Sequence, residues 1–206
     1  MEIQIDESQL RDVQTMMTGI KNGYPKVLTR AVNKTLTGVR TDAVGEIYKD
    51  LNLTKTRIRK DFKIKKMTWS YLTARIISKG APVGLAAFTG TRQTKKGVSV
   101  KVKRSGKRSI LKHAFIADAE KTATFGSITR THVFWRKYSG PRSKPRVGFS
   151  YGALPRKYRL PVERLIGPRI QDIFDEPKVM KPVMKMADDR LAVNLQRELN
   201  FELSKL

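Results

Sequence analysis

Two histidines and three pairs of carboxylates are the side chains in this sequence whose types and spacing best suit chemistry. His113 and His132 both fall in segments with apolar neighbours, and neither has a companion at metal-ligand spacing. We therefore interpret both as structural or surface residues. The absence of cysteine excludes disulfides, thiolate zinc sites and thiol nucleophiles.

Three pairs of carboxylates could act as metal ligands or as acid–base groups. They are Asp118 with Glu120, Asp175 with Glu176, and Asp188 with Asp189. The two sequential pairs point apart on a helix, which favours helix-terminus or surface roles. The first pair shares one face of a predicted strand, the spacing that best suits a two-metal nuclease, but no third carboxylate or lysine pattern completes such a site.

Sequence motifs for nucleotide chemistry do not occur. The patterns GxxxxGKS/T and GxGxxG are missing, so nucleotide hydrolysis and dinucleotide binding lack support. One GxSxG match occurs at residues 148–152, but it falls in a Pro/Gly-rich basic segment and not at the strand-to-helix turn that a serine hydrolase requires. We therefore predict that the protein is not an enzyme and has no catalytic residue, cofactor or metal.

Positive charge is concentrated in the middle of the chain. The net charge is +25, from 43 Lys and Arg against 18 Asp and Glu. Residues 1–50 and 166–206 each carry 7 basic and 7 acidic groups, whereas residues 51–110 carry 17 basic and 1 acidic. A surface that is merely solvated usually mixes both signs, so this distribution predicts contact with a negatively charged partner.

The chain has no segment that predicts a membrane location. No apolar run reaches the roughly 18 residues of a membrane-spanning helix, and the first residues are acidic where a signal peptide would be basic. We therefore expect the chain to stay in the cytoplasm when it is made and to have no membrane partner.

Two long amphipathic helices are predicted near the ends of the chain. Apolar residues recur every three or four positions through residues 25–50. They recur every four positions from Val179 to Leu203, which predicts a helix from about Pro177 to Leu203 that Pro182 could kink or delay. Thr54 is placed to cap a short basic helix. That helix is too short for a recognition helix, so a sequence-specific helix-turn-helix is not favoured.

Strand patterns occupy the middle of the chain. A strand pattern begins at Phe62, with Phe62, Ile64 and Trp69 on one face. Further predicted strands cover residues 71–78, 83–88, 113–119 and 131–138, and another has Val98, Val100 and Val102 facing inward. Ser99, Lys101 and Lys103 would form its cationic outer face. A short strand is also expected at residues 2–5.

The predicted fold class is α+β: an antiparallel or mixed β-sheet flanked by long N-terminal and C-terminal amphipathic helices, with extended basic loops. One domain is expected over 1–206. It is divided into an N-terminal segment (1–23), a helical part (24–61), a β-rich basic part (62–138), an extended Pro/Gly-rich arm (139–161) and a C-terminal helical part (162–206).

Basic, glycine-punctuated loops at residues 89–97 and 104–109 are the candidate contacts. Together with the short basic helix and the arm, they give these polyanion or partner contact residues: Arg57, Arg59, Lys60, Arg92, Lys95, Lys96, Arg104, Lys107, Arg108, Arg142, Lys144 and Arg146. Aromatic residues among them could stack on single-stranded bases, but core packing is the favoured interpretation of most. These aromatics are Phe62, Trp69, Tyr71, Phe88, Phe134, Trp135 and Tyr138.

Several short motifs, taken in order, resemble a known phage family. They include residues 31–35 (AVNKT), the basic run 57–60, residues 113–117 (HAFIA), residues 133–136 (VFWR) and residues 160–162 (LPV) leading to Gly167-Pro168. Their order and spacing resemble the minor tail protein Z family of long-tailed phages and prophages, described as tail-completion proteins. The segment 139–159 is longer than expected for that family.

The resemblance implies a virion component at the head-proximal end of the tail or neck, needed for head–tail joining and DNA delivery. We expect a homo-oligomeric ring with six-fold order, with tail terminator and tail tube proteins as neighbours. The basic loops would meet either DNA phosphates or acidic faces of neighbouring proteins. The alternative is an architectural protein that binds DNA without sequence specificity.

Overall fold

The computed structural model describes residues 23–123, 126–136 and 162–205, with side chains for 23–118, 131–135 and 162–205. The predicted α+β class is confirmed, with a long helix toward each end of the chain and antiparallel sheets between them in sequence. The predicted strand at residues 2–5 and the arm at 139–161 lie outside the described residues.

The described chain forms two compact units. The first comprises residues 23–49, 55–81 and 170–205, and the second comprises residues 50–54, 82–123, 126–136 and 162–169. The expectation of one domain over 1–206 concerns independent folding, which this grouping does not test, so it stays a prediction.

The first unit contains four helices and one two-stranded sheet. In chain order they are α1 (Gly23–Asp50), α2 (Lys55–Arg59), β1 (Phe62–Lys65), β2 (Arg75–Ser78), α3 (Ile170–Phe174) and α4 (Pro177–Leu203). None of the helices in the described part of the chain has both the length and the apolar composition of a membrane span.

Helix α1 buries the apolar stripe that the sequence predicts. Val32, Leu36, Val39 and Ile47 are at most 2% exposed, because residues three and four positions apart share one face of a helix. Thr35 lies in the same stripe, and its hydroxyl donates a hydrogen bond to the Ala31 carbonyl at 2.9 Å. The stripe therefore includes one polar side chain that is satisfied locally.

Helix α4 begins at Pro177 and continues through Pro182, so Pro182 does not delay its start. The residues at every fourth position from Val179 to Leu199 are buried, as predicted. The prediction fails at Leu203, which is 40% exposed while Glu202 is buried. At this end of α4 the residue that faces α1 is Glu202, whose carboxylate pairs with Arg30.

Charged pairs connect α1 with α4 in antiparallel register. The pairs are Arg30 with Glu202 at 2.5 Å, Lys34 with Glu198 at 3.9 Å, and Asp42 with Arg190 at 2.7 Å. Between them, the Asn194 side-chain amide donates a hydrogen bond to the Thr35 hydroxyl at 2.9 Å. The cation lies on α1 in the first two pairs and on α4 in the third, so a shifted register would bring like charges together.

Glu202 makes the stability of the contact between α1 and α4 depend on pH. The hydrogen bond from Lys205, at 2.9 Å, and then the charge of Lys205 and the contact with Arg30 hold the pKa of Glu202 below its ordinary value of 4.5, although burial acts in the opposite direction. A carboxylate with a lowered folded-state pKa stabilises the fold above its unfolded-state pKa. That stability is lost as the pH falls through the folded-state value.

We predict that Glu202→Gln lowers the melting temperature at pH 7 and that the difference from the parent protein shrinks as the pH falls below 4.5. Thermal unfolding followed by circular dichroism at pH 7, 5, 4 and 3 measures it. Glu46→Gln, which removes a pair with Lys49 on the same helix, is the control and should have a smaller effect at pH 7. A Glu202→Gln difference that does not change with pH would contradict the assignment.

Strands β1 and β2 form an antiparallel hairpin. Ile64 pairs with Ile76, and Phe62 on the buried face makes an edge-to-face contact with Phe174 of α3 at 5.1 Å. The predicted strand at 71–78 is correct only from Arg75 onward. Residues 66–74 form a loop instead, in which Thr68 and Tyr71 face each other across a tight turn.

The second unit contains two three-stranded antiparallel sheets and a short 3₁₀ turn at Leu85–Ala87. The first sheet has the order β3 (Arg92–Thr94), β4 (Gly97–Val100) and β5 (Ser109–Lys112). The second has the order β6 (Ala114–Ala123), β7 (Gly126–Arg136) and β8 (Val162–Arg164).

Two sequence predictions are wrong in this unit. The predicted strand at 83–88 is largely the 3₁₀ turn, in which Leu85 and Phe88 are both buried because a 3₁₀ helix brings residues three apart onto one side. The predicted loop at 89–97 contains edge strand β3. Its polar sequence resembles a loop because edge strands carry charged side chains on an open side.

Candidate polyanion and partner contact surface

A tight hairpin between β3 and β4 displays Lys95 and Lys96, which are both exposed at the turn. Thr94 pairs with Gly97 across it, and the Thr94 hydroxyl donates a hydrogen bond to the Gly97 carbonyl at 2.7 Å. The Gln93 side chain accepts a hydrogen bond from the Ile116 backbone at 2.9 Å. The hairpin is therefore held to β6, and its two lysines project from a fixed turn.

Gly97 is required where the hairpin enters β4. Its φ of 141° lies in a region that residues with a side chain rarely adopt, and a Cβ there would overlap the Leu111 carbonyl of β5. This glycine therefore lets strand β5 approach closely beside the lysine turn.

One face of the β3–β4–β5 sheet carries exposed basic residues. Arg92 and Ile110 lie directly opposite Ser99 on either side, and Lys112 lies opposite Gly97. These residues share one face because side chains alternate along each strand. Arg92, Ile110 and Lys112 are exposed, whereas Val98 on the other face is fully buried.

Strand β4 is more buried than the sequence predicts. Ser99, expected on an open cationic face, is 3% exposed, and the strand ends at Val100 rather than Val102. The Arg108 guanidinium donates hydrogen bonds to the Gly90 carbonyl at 2.6 Å and to the Ser99 hydroxyl at 3.5 Å. Its side chain therefore covers the centre of that face.

Arg104 fastens the basic loop to the segment after α1. Its guanidinium donates to the carbonyls of Leu51 at 3.2 Å and Leu53 at 3.4 Å. The Asn52 side chain donates to the carbonyls of Thr89 at 2.8 Å and Lys101 at 3.0 Å. Asn52 is not among the residues predicted from the sequence. Its position as a polar residue between two leucines is the one sequence feature that indicates this role.

The short basic helix α2 lies in the first unit. Ile58 anchors it, Arg59 and Lys60 are exposed, and Arg57 pairs with Asp61 at 2.7 Å. A charge that is already paired is a weaker contact for a further anion than an exposed one.

The twelve predicted contact residues thus fall into three groups. The guanidiniums of Arg57, Arg104 and Arg108 already bond within the chain, and Arg142, Lys144 and Arg146 lie outside the described residues. The remaining six, which are all exposed to solvent, are Arg59, Lys60, Arg92, Lys95, Lys96 and Lys107. That these six contact a partner stays a prediction.

Among the described side chains considered for chemistry, His113, His132 and Asp118 have separate local surroundings. His113 occupies the turn between β5 and β6 with a φ of 67°, so its predicted strand begins one residue later, at Ala114. His132 makes an edge-to-face contact with Phe134 at 5.9 Å, and Asp118 accepts a hydrogen bond from Thr131 at 2.7 Å. Within the described residues, no group of three or more His, Asp or Glu is placed to hold a metal ion.

A comparison with protein-family models decides the family. The model described as prophage minor tail protein Z (GPZ) matches residues 11–206, which is nearly the whole chain. The chain belongs to this family. Neither the curated proteins nor the solved structures contain a significant match.

Membership in the minor tail protein Z family confirms the resemblance carried by the short motifs. It makes this chain a structural protein of the phage tail, and it suggests a virion location and a role other than catalysis.

Proposed function

We propose that this minor tail protein completes the head-proximal end of the tail as part of an oligomeric ring, serving head–tail joining and DNA passage. The observation that carries the proposal is the family match over residues 11–206 in a chain whose net positive charge comes from its middle, since both ends are balanced. Neighbours of this ring would be the tail terminator and tail tube proteins, and assembly would take place in the host cytoplasm.

The proposal divides the chain between body and contact surface. Helices α1 and α4 pack through an apolar stripe and pair charges of both signs, as a scaffold requires. By contrast, no Asp or Glu occurs between Asp61 and Asp118, so β1 to β5 have no acidic residue of their own. Exposed lysines in this stretch, such as Lys95 and Lys96, attract an external anion.

The chain would bind the anion without recognising a particular DNA sequence. Lys95, Lys96 and Lys107 are flexible point charges on turns, which bind phosphates or carboxylates but do not give the bidentate contacts that distinguish bases. Both DNA phosphates and acidic protein faces fit this chemistry. Six-fold order suits a ring stacked on a tail.

Deletion of the gene in the parent phage or prophage tests the proposal. Electron microscopy of induced lysates should show filled heads and tails that fail to join, and plasmid-borne full-length protein should restore joined particles. Mass spectrometry should detect the chain in purified tails. Joined, infectious particles made without the chain would contradict the proposal.

The net charge of +25 also favours a second candidate, an architectural protein that binds duplex DNA in solution. Binding of the isolated chain to random-sequence duplex separates the two. Tight binding that weakens steeply with salt, together with absence from particles, would favour the second candidate. Weak binding together with presence in the tail would favour the first.

A further inference from the structure

An exposed aromatic tip lies at the end of the β1–β2 hairpin. Trp69 is 56% exposed, Tyr71 is 72% exposed and Leu72 is 48% exposed. Three of the eleven large apolar side chains exposed in the described part of the chain thus lie within four positions. Such clusters mark interaction sites more often than scattered apolar residues do. We call residues 68–72 the aromatic tip.

The sequence favours core packing for most aromatic residues of the basic middle. Phe62 and Phe88 are buried as expected, at 4% and 2% exposed. Trp135 is 42% exposed, and Trp69 and Tyr71 are exposed as well. Both follow the end of β1 and leave its alternation, so neither is directed to the core by the pleat of the strand.

The aromatic tip is held in a defined shape. Across the turn, the Thr68 amide donates to the Tyr71 carbonyl at 3.0 Å and the Tyr71 amide donates to the Thr68 carbonyl at 3.1 Å. At its base, the Asn33 side chain of α1 accepts from the Met67 amide at 2.9 Å and donates to the Met67 carbonyl at 3.0 Å. Met67 is buried and hydrogen-bonded to α1, so the backbone of the aromatic tip is already ordered. Binding through the exposed rings therefore loses little further backbone entropy.

Three lysines lie beside the aromatic tip, on the hairpin that carries it and at the base of its loop. Lys63 and Lys65 lie on the outer face of the hairpin, opposite Ile77 and Arg75, and Lys66 follows at the base of the loop. All three lysines are exposed. A surface that receives the tip would therefore gain from acidic residues around an apolar pocket.

We propose that the aromatic tip inserts into an acidic-rimmed apolar pocket on a different protein of the phage particle. This inference rests on the proposed tail function and names one of its contacts. A second copy of the chain is disfavoured as the occupant because it has 18 Asp and Glu against 43 Lys and Arg, so it offers few carboxylates for an acidic rim. DNA is disfavoured because Leu72 cannot stack on bases, and duplex phosphates are held by lysines without exposed aromatic rings.

The first test is a double variant, Trp69→Ser with Tyr71→Ser, introduced into the gene of the phage or prophage. Loss of two aromatic anchors should lower incorporation of the chain into particles by roughly 100-fold, measured by quantitative mass spectrometry. The melting temperature of the purified variant should stay within about 3 °C of the parent because both side chains are exposed.

The matched control is Val193→Ser with Phe201→Ser, two exposed apolar residues of α4, which should be incorporated normally. If the gene deletion abolishes joined particles but the tip variant is incorporated at the parent level, the tip inference alone fails. If the deletion itself has no effect, the proposed function fails.

The second test identifies the occupant directly. Tyr71 is replaced by the photo-crosslinker p-benzoylphenylalanine, complete particles are purified and irradiated, and the crosslinked peptides are sequenced. The expected crosslink joins position 71 to a different virion protein near its Asp and Glu residues. Crosslinks to DNA or to a second copy of this chain would overturn the proposal.

Discussion

Reversal of three exposed lysines, Lys95, Lys96 and Lys107, to Glu is expected to lower the yield of infectious particles by roughly 100-fold or more while the fold stays intact. The variant changes the contact surface by six units of charge, and each lost charge contact worth about 1.4 kcal/mol weakens binding tenfold. The fold should tolerate the change because these side chains project from turns or loops and are exposed. Plaque counts measure the yield and thermal unfolding measures the fold.

The control for this variant has the same charge change on helix α4. Lys181, Lys185 and Arg197 are equally exposed, so their replacement by Glu lowers the net charge by the same amount at a surface with balanced charge. That control should remain infectious. Equal losses in the two variants would show that only total charge matters, and full infectivity of the first would show that the β3–β5 lysines are merely solvated.

Replacement of Leu195 by Asp is expected to unfold the first unit or break the oligomer. Leu195 is 6% exposed in the contact face of α4, so the variant loses a buried side chain and places an unpaired carboxylate in an apolar seam. The expected loss is about 4 kcal/mol or more, which lowers the melting temperature by roughly 8–16 °C in a chain of this size. Differential scanning calorimetry of the purified protein measures the loss.

Val193→Asp provides the matched control two residues away on the same helix. Val193 is 64% exposed, so its replacement should change the melting temperature by no more than about 3 °C. A Leu195→Asp protein as stable and as oligomeric as this control would show that the α4 seam is not buried.

The positions of the two long helices could be predicted from the sequence because the repeat of apolar residues extends over many turns. The α4 pattern extends over more than six turns, so the start at Pro177 and the end at Leu203 are both correct. Short segments carry less information. Residues 83–88 and 89–97 were assigned the wrong structure because a few apolar positions fit a 3₁₀ turn as well as a strand, and a polar edge strand resembles a loop.

The exposed cations could be predicted as a group, but their individual roles could not. Arg104 and Arg108 have the same loop sequence context as Lys107, yet their guanidiniums bond to backbone carbonyls while Lys107 is exposed. Those carbonyls lie 18 to 53 positions away in the chain, so no local sequence pattern predicts these hydrogen bonds. The exposed pair Trp69 and Tyr71 was missed because hydrophobic type alone favours burial.

A cryo-electron microscopy reconstruction of the intact particle around the head-proximal end of the tail tests the central claim most directly. The claim is that α1 and α4 form a scaffold while the cations of β3–β5 hold a negatively charged neighbour. We expect a ring of this chain in which Lys95, Lys96 and Lys107 lie against DNA or against acidic side chains of an adjoining protein. A ring in which these lysines face open solvent on every copy, or a tail end from which the chain is missing, would contradict it.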